Sequence, residues 1–542
     1  MSQSSSKQNY MQGAIVLLIA GIVVKVVGAL FKIPLTNLIG GQGMAYFTTA
    51  YDIYVWMYII TTAGLPVAIS RMVSESNAQG RYKNARRILS IAFGSFLVLG
   101  LLGSAFLFIG AGSLARAFSN PSSVYAIMAI APAILFEITM SAYRGFFQGN
   151  KDMVPTAVSQ VIVAVVKLLG GFVIAWYILS LDLPQEVRLP YAAAGAIFGV
   201  TLGTMFGALY LIVKKAFFKP QLVHEAPPDD RVEGRGVLFR RLLAITIPIA
   251  IGSSVLSVTN LLDMGLLMDR LLAAGITQAD AEMLYGSYSS LARTMFNLPT
   301  ALIIPIGTSV IPVISEKYSI GRIGEAKGIV DSALRVAILL ALPSGFGLAL
   351  LSKPILNLLF SARPAEVEIA APLLTALGPA VLFVCLVSIT NAMLQAIGRE
   401  RVPVFTMLAG GAVKLVSNLV LVGNPAININ GAPIGTNLCY GVITLLNVIV
   451  LVRAIGPMSH LFDATVKPLL ASLVSCGGAA VLCSFLSRHI SPHLATVAAV
   501  GFAVVFYFVL LIVTKALRGE DIRLLPKGDK IEKMLAKRGW IR

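Results

Sequence analysis

Apolar runs of about 20 or more residues, long enough for a helix to cross the hydrocarbon core of a bilayer, alternate with polar connections along the whole chain. The pattern predicts fourteen transmembrane helices, at about 11–38, 44–74, 85–112, 122–147, 154–180, 190–215, 242–270, 283–314, 327–352, 366–397, 402–423, 432–456, 464–487 and 493–516. An even count puts both termini on one side of the membrane. The runs are continuous rather than alternating residue by residue, which argues against an outer-membrane barrel. The expected fold class is therefore an all-α polytopic membrane protein.

Most connections are short. The exception is 216–241, whose Pro227-Pro-Asp-Asp-Arg-Val-Glu-Gly-Arg core is polar and reads as a linker between two halves. An internal repeat supports that division. Ser74-Glu75, Gly80-Arg81, Ala85 and Ile88 recur at a constant offset as Ser315-Glu316, Gly321-Arg322, Ala326 and Ile329. Gln148, Val154-Pro155 and Val166-Lys167-Leu168 recur as Gln395, Val402-Pro403 and Val413-Lys414-Leu415. Both matches lie six spans apart and in the same order, which predicts a parallel duplication of six-helix lobes. The expected organisation is an N-lobe at 1–215, a linker at 216–241, a C-lobe at 242–456, two added spans within 457–518 and a basic tail at 519–542.

Composition agrees with a membrane chain: 57% hydrophobic and 13% charged residues, with a mean hydropathy of +0.84. The net charge of +18 is an orientation signal more than a nucleic-acid footprint. If Met1 is cytoplasmic, roughly 30 Lys and Arg fall in inner loops and tails against about six outside. Both termini are therefore expected in the cytoplasm, with the basic tail against anionic membrane lipid and no nucleic-acid partner. Cys385, Cys439, Cys476 and Cys483 sit in apolar runs and read as small core residues. His224, His460, His489 and His493 fall in or near connections, so no metal site is expected. The first apolar run is too long for a signal-peptide core and lacks a small-residue cleavage site, so it is expected to remain as a span. There is no Walker-type loop and no nucleophile or paired-carboxylate grouping, which points away from an enzyme and from any cofactor. Transport energy would come from the membrane potential or a cation, Na+ or H+.

Among the basic residues inside the expected spans, seven are singled out: Lys25, Lys32, Arg71, Lys167, Arg293, Arg335 and Lys414. Left unpartnered in lipid they would cost on the order of 20 kcal/mol, so each must face water, find a partner or reach an interface. Lys25 and Lys32 are seven residues apart, on one helix face and about 10 Å apart along the axis. An anion-receiving cavity and snorkelling both fit this pair, Lys25 favouring the first. Arg71 and Arg335, near cytoplasmic helix ends, are expected to snorkel. Lys167 and Lys414 occupy matching repeat positions and fit either an ion pair with Glu137 or Asp263 or a substrate contact. Arg293 in the eighth span is expected to face a cavity between the repeats. With Asp52, Glu137 and Asp263 as the acids in spans, the interior is net positive and suits a phosphate or pyrophosphate. Asn260 and Asp263, one turn apart, fit either a cation site or charge balance for Arg293.

The stretch Arg335-Val-Ala-Ile-Leu-Leu-Ala-Leu-Pro343-Ser344, continuing to Leu351-Ser-Lys-Pro354, resembles the ninth span of MurJ-type lipid II flippases. More widely the chain resembles the multidrug/oligosaccharidyl-lipid/polysaccharide (MOP) exporter superfamily. Lys25-Val-Val-Gly28, followed by Leu38-Ile-Gly40, is similar to that family's first span, where the cation is an arginine. Arg293 ahead of Leu298-Pro299 is similar to a cationic cavity residue of its eighth. The repeated Ser-Glu-x4-Gly-Arg loops and the basic tail look like the sporulation stage V protein B branch. The resemblance implies the MOP exporter fold, with spans 13 and 14 as a groove for a lipid tail. It also implies a flippase of the bacterial inner membrane that moves an undecaprenyl-pyrophosphate-linked saccharide, foremost lipid II, in contact with cell-wall synthesis machinery. An exporter of another lipid-linked polysaccharide, for capsule or spore envelope, is the alternative; a cation-coupled multidrug exporter would want an acidic cavity instead.

Overall fold

The computed structural model describes residues 2–218, 232–457, 461–514 and 516. The basic tail at 519–542 and residues 219–231 of the linker lie outside the described residues. Within them every regular element is helical. Contacts divide the chain into two compact units, Met1–Asp269 and Arg270–Arg542.

The first unit comprises α1 (Ser2–Thr62), α2 (Leu65–Ala78), α3 (Tyr82–Ala117), α4 (Val124–Ile130), α5 (Ala133–Gly149), α6 (Val154–Ser180), α7 (Gln185–Ala216) and most of α8 (Arg235–Ala273). At 61 residues α1 would run about 90 Å, three times the core of a bilayer. It is two helices meeting at Gly40, whose φ of 69° and ψ of −176° lie outside the helical region and need a residue without Cβ. Twelve segments among the described residues are long and apolar enough to cross a membrane, so the expected fourteen are not reached. One reason is that Ile19–Ala78, counted as a single segment, covers both the first and the second expected span.

The expected lobe boundary lay in the linker, yet α8 packs with the first unit as far as Asp269. Arg241 at its start forms an ion pair with Glu75, its backbone at Thr246 abuts Gly64, and Gly265 lies against the Phe118 ring. Just upstream, the Glu233 backbone N–H donates to Asn84 Oδ1 at 3.1 Å. The Glu233 carboxylate accepts from Asn84 Nδ2 at 3.3 Å and faces Arg81 Nη1 at 3.5 Å. Chain leaving the linker is thus fastened to the turn between α2 and α3.

That turn is the first Ser-Glu-x4-Gly-Arg motif. Gly80 has φ 73° and ends α2, while the Arg81 N–H donates to Ser76 O at 2.8 Å. In the second motif Gly321 has φ 77° and the Arg322 N–H donates to Lys317 O at 3.0 Å. Both are glycine helix stops of one geometry, which explains why the motif recurs.

The second unit comprises α9 (Gln278–Ser287), a π-helical turn (Tyr288–Ala292), α10 (Arg293–Ser319), α11 (Ile323–Leu350), α12 (Ser352–Leu359), α13 (Pro364–Ala396), α14 (Arg401–Leu421), α15 (Gly431–Ile455), α16 (Leu461–Leu486) and α17 (Pro492–Val513). The largely buried α13 lies at its centre, packed on α10, α11 and α15. A polar network ties α13, α14 and α15 together. Thr406 Oγ1 donates to Asn447 Oδ1 at 2.8 Å, and Asn447 Nδ2 donates to Thr390 Oγ1 at 3.0 Å and Asn391 Oδ1 at 2.8 Å. Asn447 is fully buried, and these bonds satisfy side-chain dipoles that lipid cannot. α16 and α17 pack on each other, and α16 lies along α11.

Candidate functional site

In the first unit Lys25 is exposed and Lys32 half-buried. Gly21, Lys25, Gly28 and Lys32 fall at helical spacings on one stripe of α1. A Cβ built on Gly21 or Gly28 would meet nothing within 4 Å. The stripe is therefore an open, small-residue face carrying two cations, as the spacing predicts.

Lys167 on α6 joins neither of its expected ion pairs. Its ammonium sits 5.2 Å from the centroid of the Phe31 ring and 4.7 Å from that of Tyr51. The aromatic ladder continues along α1 as Tyr51, Tyr54 and Tyr58, with neighbouring centroids 6.0 and 6.1 Å apart. Placing a cation over two ring faces offsets part of its desolvation without a carboxylate.

Glu137 on α5 is 9% exposed and pairs with Arg144 on the same helix, Nη1 to Oε2 at 3.9 Å. Arg144 Nε also donates to Ser159 Oγ at 2.9 Å. Sequence reasoning passes over Arg144 because it stands at the end of its expected span; the seven-residue spacing from Glu137 is the signal that finds it. Asp52 is half-buried on α1.

On α8, Asp263 is buried at 3% exposure whereas Asn260 is exposed. One turn apart in sequence, they occupy different environments, because an i, i+3 pair can straddle the edge of a buried face.

In the second unit Arg293 on α10, Lys414 on α14 and Tyr440 on α15 are all half-buried. The Tyr440 ring lies 6.0 Å from Phe296, one turn beyond Arg293. Arg293 opens α10 directly after the π turn, and Pro299 follows within two turns. A π turn and a proline each break the regular carbonyl ladder, so this cation stands on irregular backbone of the kind found where helices line functional sites. Arg335, expected to snorkel, is buried within α11 at 5% exposure. Arg71 does reach outward, pairing with Glu75 at 3.0 Å.

The second unit also holds an apolar cavity of about 510 Å³ walled by α10, α11, α16 and α17. Leu302, Leu340, Leu348, Val504 and Phe508 are among its walls, with Tyr507 at one side. The Tyr507 hydroxyl donates to Leu339 O at 2.8 Å, and the lining is largely hydrocarbon, with Ser344 and Cys476 among it.

The twelve segments long and apolar enough to cross a membrane, counted among the described residues, define a multi-pass helical membrane protein. Among solved structures, the chain is similar to the lipid II flippase MurJ in an inward closed conformation, with a TM-score of 0.68 at 15% identity, covering 92% of this chain and 98% of that one. An inward-facing multidrug resistance MATE family transporter of the MOP superfamily gives a TM-score of 0.65 at 15% identity, covering 81% and 98%. Residues 10–317 match the family model described as polysaccharide biosynthesis protein, and 274–420 match MatE. The chain belongs to the polysaccharide biosynthesis protein family. Stage V sporulation protein B of Bacillus subtilis (strain 168) is 24% identical over 530 residues, covering 96% of this chain and 98% of that protein. Lipid II flippase MurJ of the same organism is 25% identical over 456 residues, covering 82% and 83%. Of these, MurJ is a flippase and the MATE family protein a transporter by name.

Proposed function

We propose that this protein is a flippase of the bacterial cytoplasmic membrane, with both termini inside, that carries an undecaprenyl-pyrophosphate-linked saccharide from the inner to the outer leaflet. Lipid II is the saccharide lipid favoured, because a relative bearing that activity in its name aligns over 82% of the chain. The observation that carries the reading is the open stripe of α1 with Lys25 and Lys32 on one face. Two cations on an exposed small-residue face suit the clustered negative charge of a pyrophosphate. In the second unit, the half-buried Arg293 and Lys414 supply further positive charge. Lys167, held over Phe31 and Tyr51, adds positive potential to the first unit. The apolar cavity beside α16 and α17 suits the hydrocarbon of the carrier. Asp52, Glu137 and Asp263 balance the interior charge.

An inside-negative potential favours outward movement of an anion by about 2.3 kcal/mol per charge per 100 mV, so direction follows without nucleotide hydrolysis. Coupling to Na+ or H+ would add to that drive. A second reading, a flippase for another lipid-linked polysaccharide such as one of the spore envelope, is favoured by the 96% coverage of the match to stage V sporulation protein B. Depleting the protein in its native host and measuring which lipid-linked precursor accumulates on the cytoplasmic face separates the two. Accumulation of lipid II supports the first reading, accumulation of a different saccharide lipid the second, and accumulation of neither refutes both.

A further inference from the structure

The first unit carries a cavity of about 430 Å³ where the early turns of α3 meet the start of α8. Ser90, Gly94 and Ser95 of α3 line it together with Arg235, Gly236 and Phe239 of α8. It is open at both glycines, since a Cβ built on Gly94 or Gly236 would meet nothing within 4 Å. Arg235 and Ser90 are exposed and Ser95 is half-buried. Among the described residues, none of these three side chains has a hydrogen bond or ion pair with the protein.

The acids nearby are already engaged. Glu233 faces Arg81 at 3.5 Å, and Glu75 pairs with Arg71 and Arg241. Arg86 and Arg87 stand one helical turn before Ser90 and Ile91, on the same face of α3, and have no acid partner among the described residues. Three guanidinium charges are therefore uncompensated around one polar cavity. Its depth suits a lipid head. At 36 residues α3 is about 54 Å long and exceeds the roughly 30 Å hydrocarbon core. Shared equally, the excess leaves about 12 Å beyond the core at each end, and Ser90 stands eight residues, about 12 Å, from the start of α3 at Tyr82.

We propose that this cavity is a loading site, where the pyrophosphate head of the carrier lipid docks from the cytoplasmic leaflet before it enters the transport path; the inference rests on the flippase reading and its orientation. The phosphate oxygens accept from the Arg235 guanidinium and the Ser90 and Ser95 hydroxyls, and Arg86 and Arg87 add positive potential at the mouth. An ordinary phospholipid head with one phosphate compensates fewer of the three charges and binds less well. The tail stays in the bilayer along Val98, Leu102, Phe106 and Ile109, exposed residues that follow Ser95 at three- and four-residue spacings on α3. The site is separate from the Lys25 and Lys32 stripe of α1.

The test is native mass spectrometry of the full chain, equilibrated in detergent with equal amounts of undecaprenyl pyrophosphate and phosphatidylglycerol. A Lys25→Ala, Arg293→Ala protein, which lacks two of the proposed transport cations, is expected still to retain one undecaprenyl pyrophosphate in preference to phosphatidylglycerol. Adding Arg235→Gln should lower that retention about tenfold, the scale of one charge-assisted hydrogen bond, with the unfolding midpoint unchanged. Equal retention of the two lipids, or retention unaffected by Arg235→Gln, would overturn the loading site. Loss of retention in Lys25→Ala, Arg293→Ala alone overturns it too, while leaving the proposed transport standing. A depleted host that accumulates neither precursor refutes the transport and leaves this binding as measured.

Discussion

The Lys167 ammonium lies 4.7 Å from the centroid of the Tyr51 ring, on a helix that its own sequence would suggest should pair it with a carboxylate. Phe31 offers a second ring face at 5.2 Å, so removing the Tyr51 ring halves the aromatic cradle. Tyr51→Leu is expected to lower stability by about 0.5–2 kcal/mol, and Tyr51→Phe by far less. Thermal unfolding in detergent distinguishes them. Equal losses in the two variants would assign the effect to the hydroxyl rather than the ring.

Glu137 and Arg144 are both 11% exposed in their side chains. Removing either leaves the other charge buried, so Glu137→Ala and Arg144→Ala should each cost about 3 kcal/mol. The double variant Glu137→Leu, Arg144→Met should cost clearly less than the sum of its parts. A double-mutant cycle on unfolding midpoints reads the coupling, and additivity of the two losses would exclude it.

For the proposed transport, Lys25→Ala and Arg293→Ala should abolish complementation of a depleted host at normal expression. Lys25→Arg should retain it, since a guanidinium serves an anion as well as an ammonium does. Growth of the alanine variants at the unaltered rate would remove both residues from the proposed transport.

The buried Asn447 joins three helices through one accepted and two donated hydrogen bonds. Hydrogen bonds between membrane helices are worth about 0.6 kcal/mol each, so Asn447→Leu should cost about 1–2 kcal/mol. The readout is the unfolding midpoint in detergent, with Thr406→Val expected to account for about a third of the loss.

Much of this was legible in residues alone. Apolar runs of span length fix a helical membrane chain, and the seven-residue spacing of Lys25 and Lys32 fixes their common face. The two Ser-Glu-x4-Gly-Arg motifs fold into the same glycine-terminated turn. What spacing does not reveal is which side of a helix the protein covers. Asn260 and Asp263 part company for that reason, and Arg335 turns inward although its position near a helix end suits snorkelling. The π turn ahead of Arg293 is equally silent, because inserting a residue into a helix needs no signature residue. Lys167 shows a further gap: aromatic faces from two separate stretches serve where sequence counting sees only acids as partners.

The fastening of Glu233 and Arg241 to the α2–α3 turn bears on how the gene can be handled. Side chains on both sides of the 219–231 segment attach α8 to the first unit, so backbone continuity across that segment is not the sole link between α7 and α8. A coding sequence divided there, and expressed as two fragments, is expected to reassemble with α8 seated on the first fragment. A protease site or affinity tag introduced at the same place should leave both units folded.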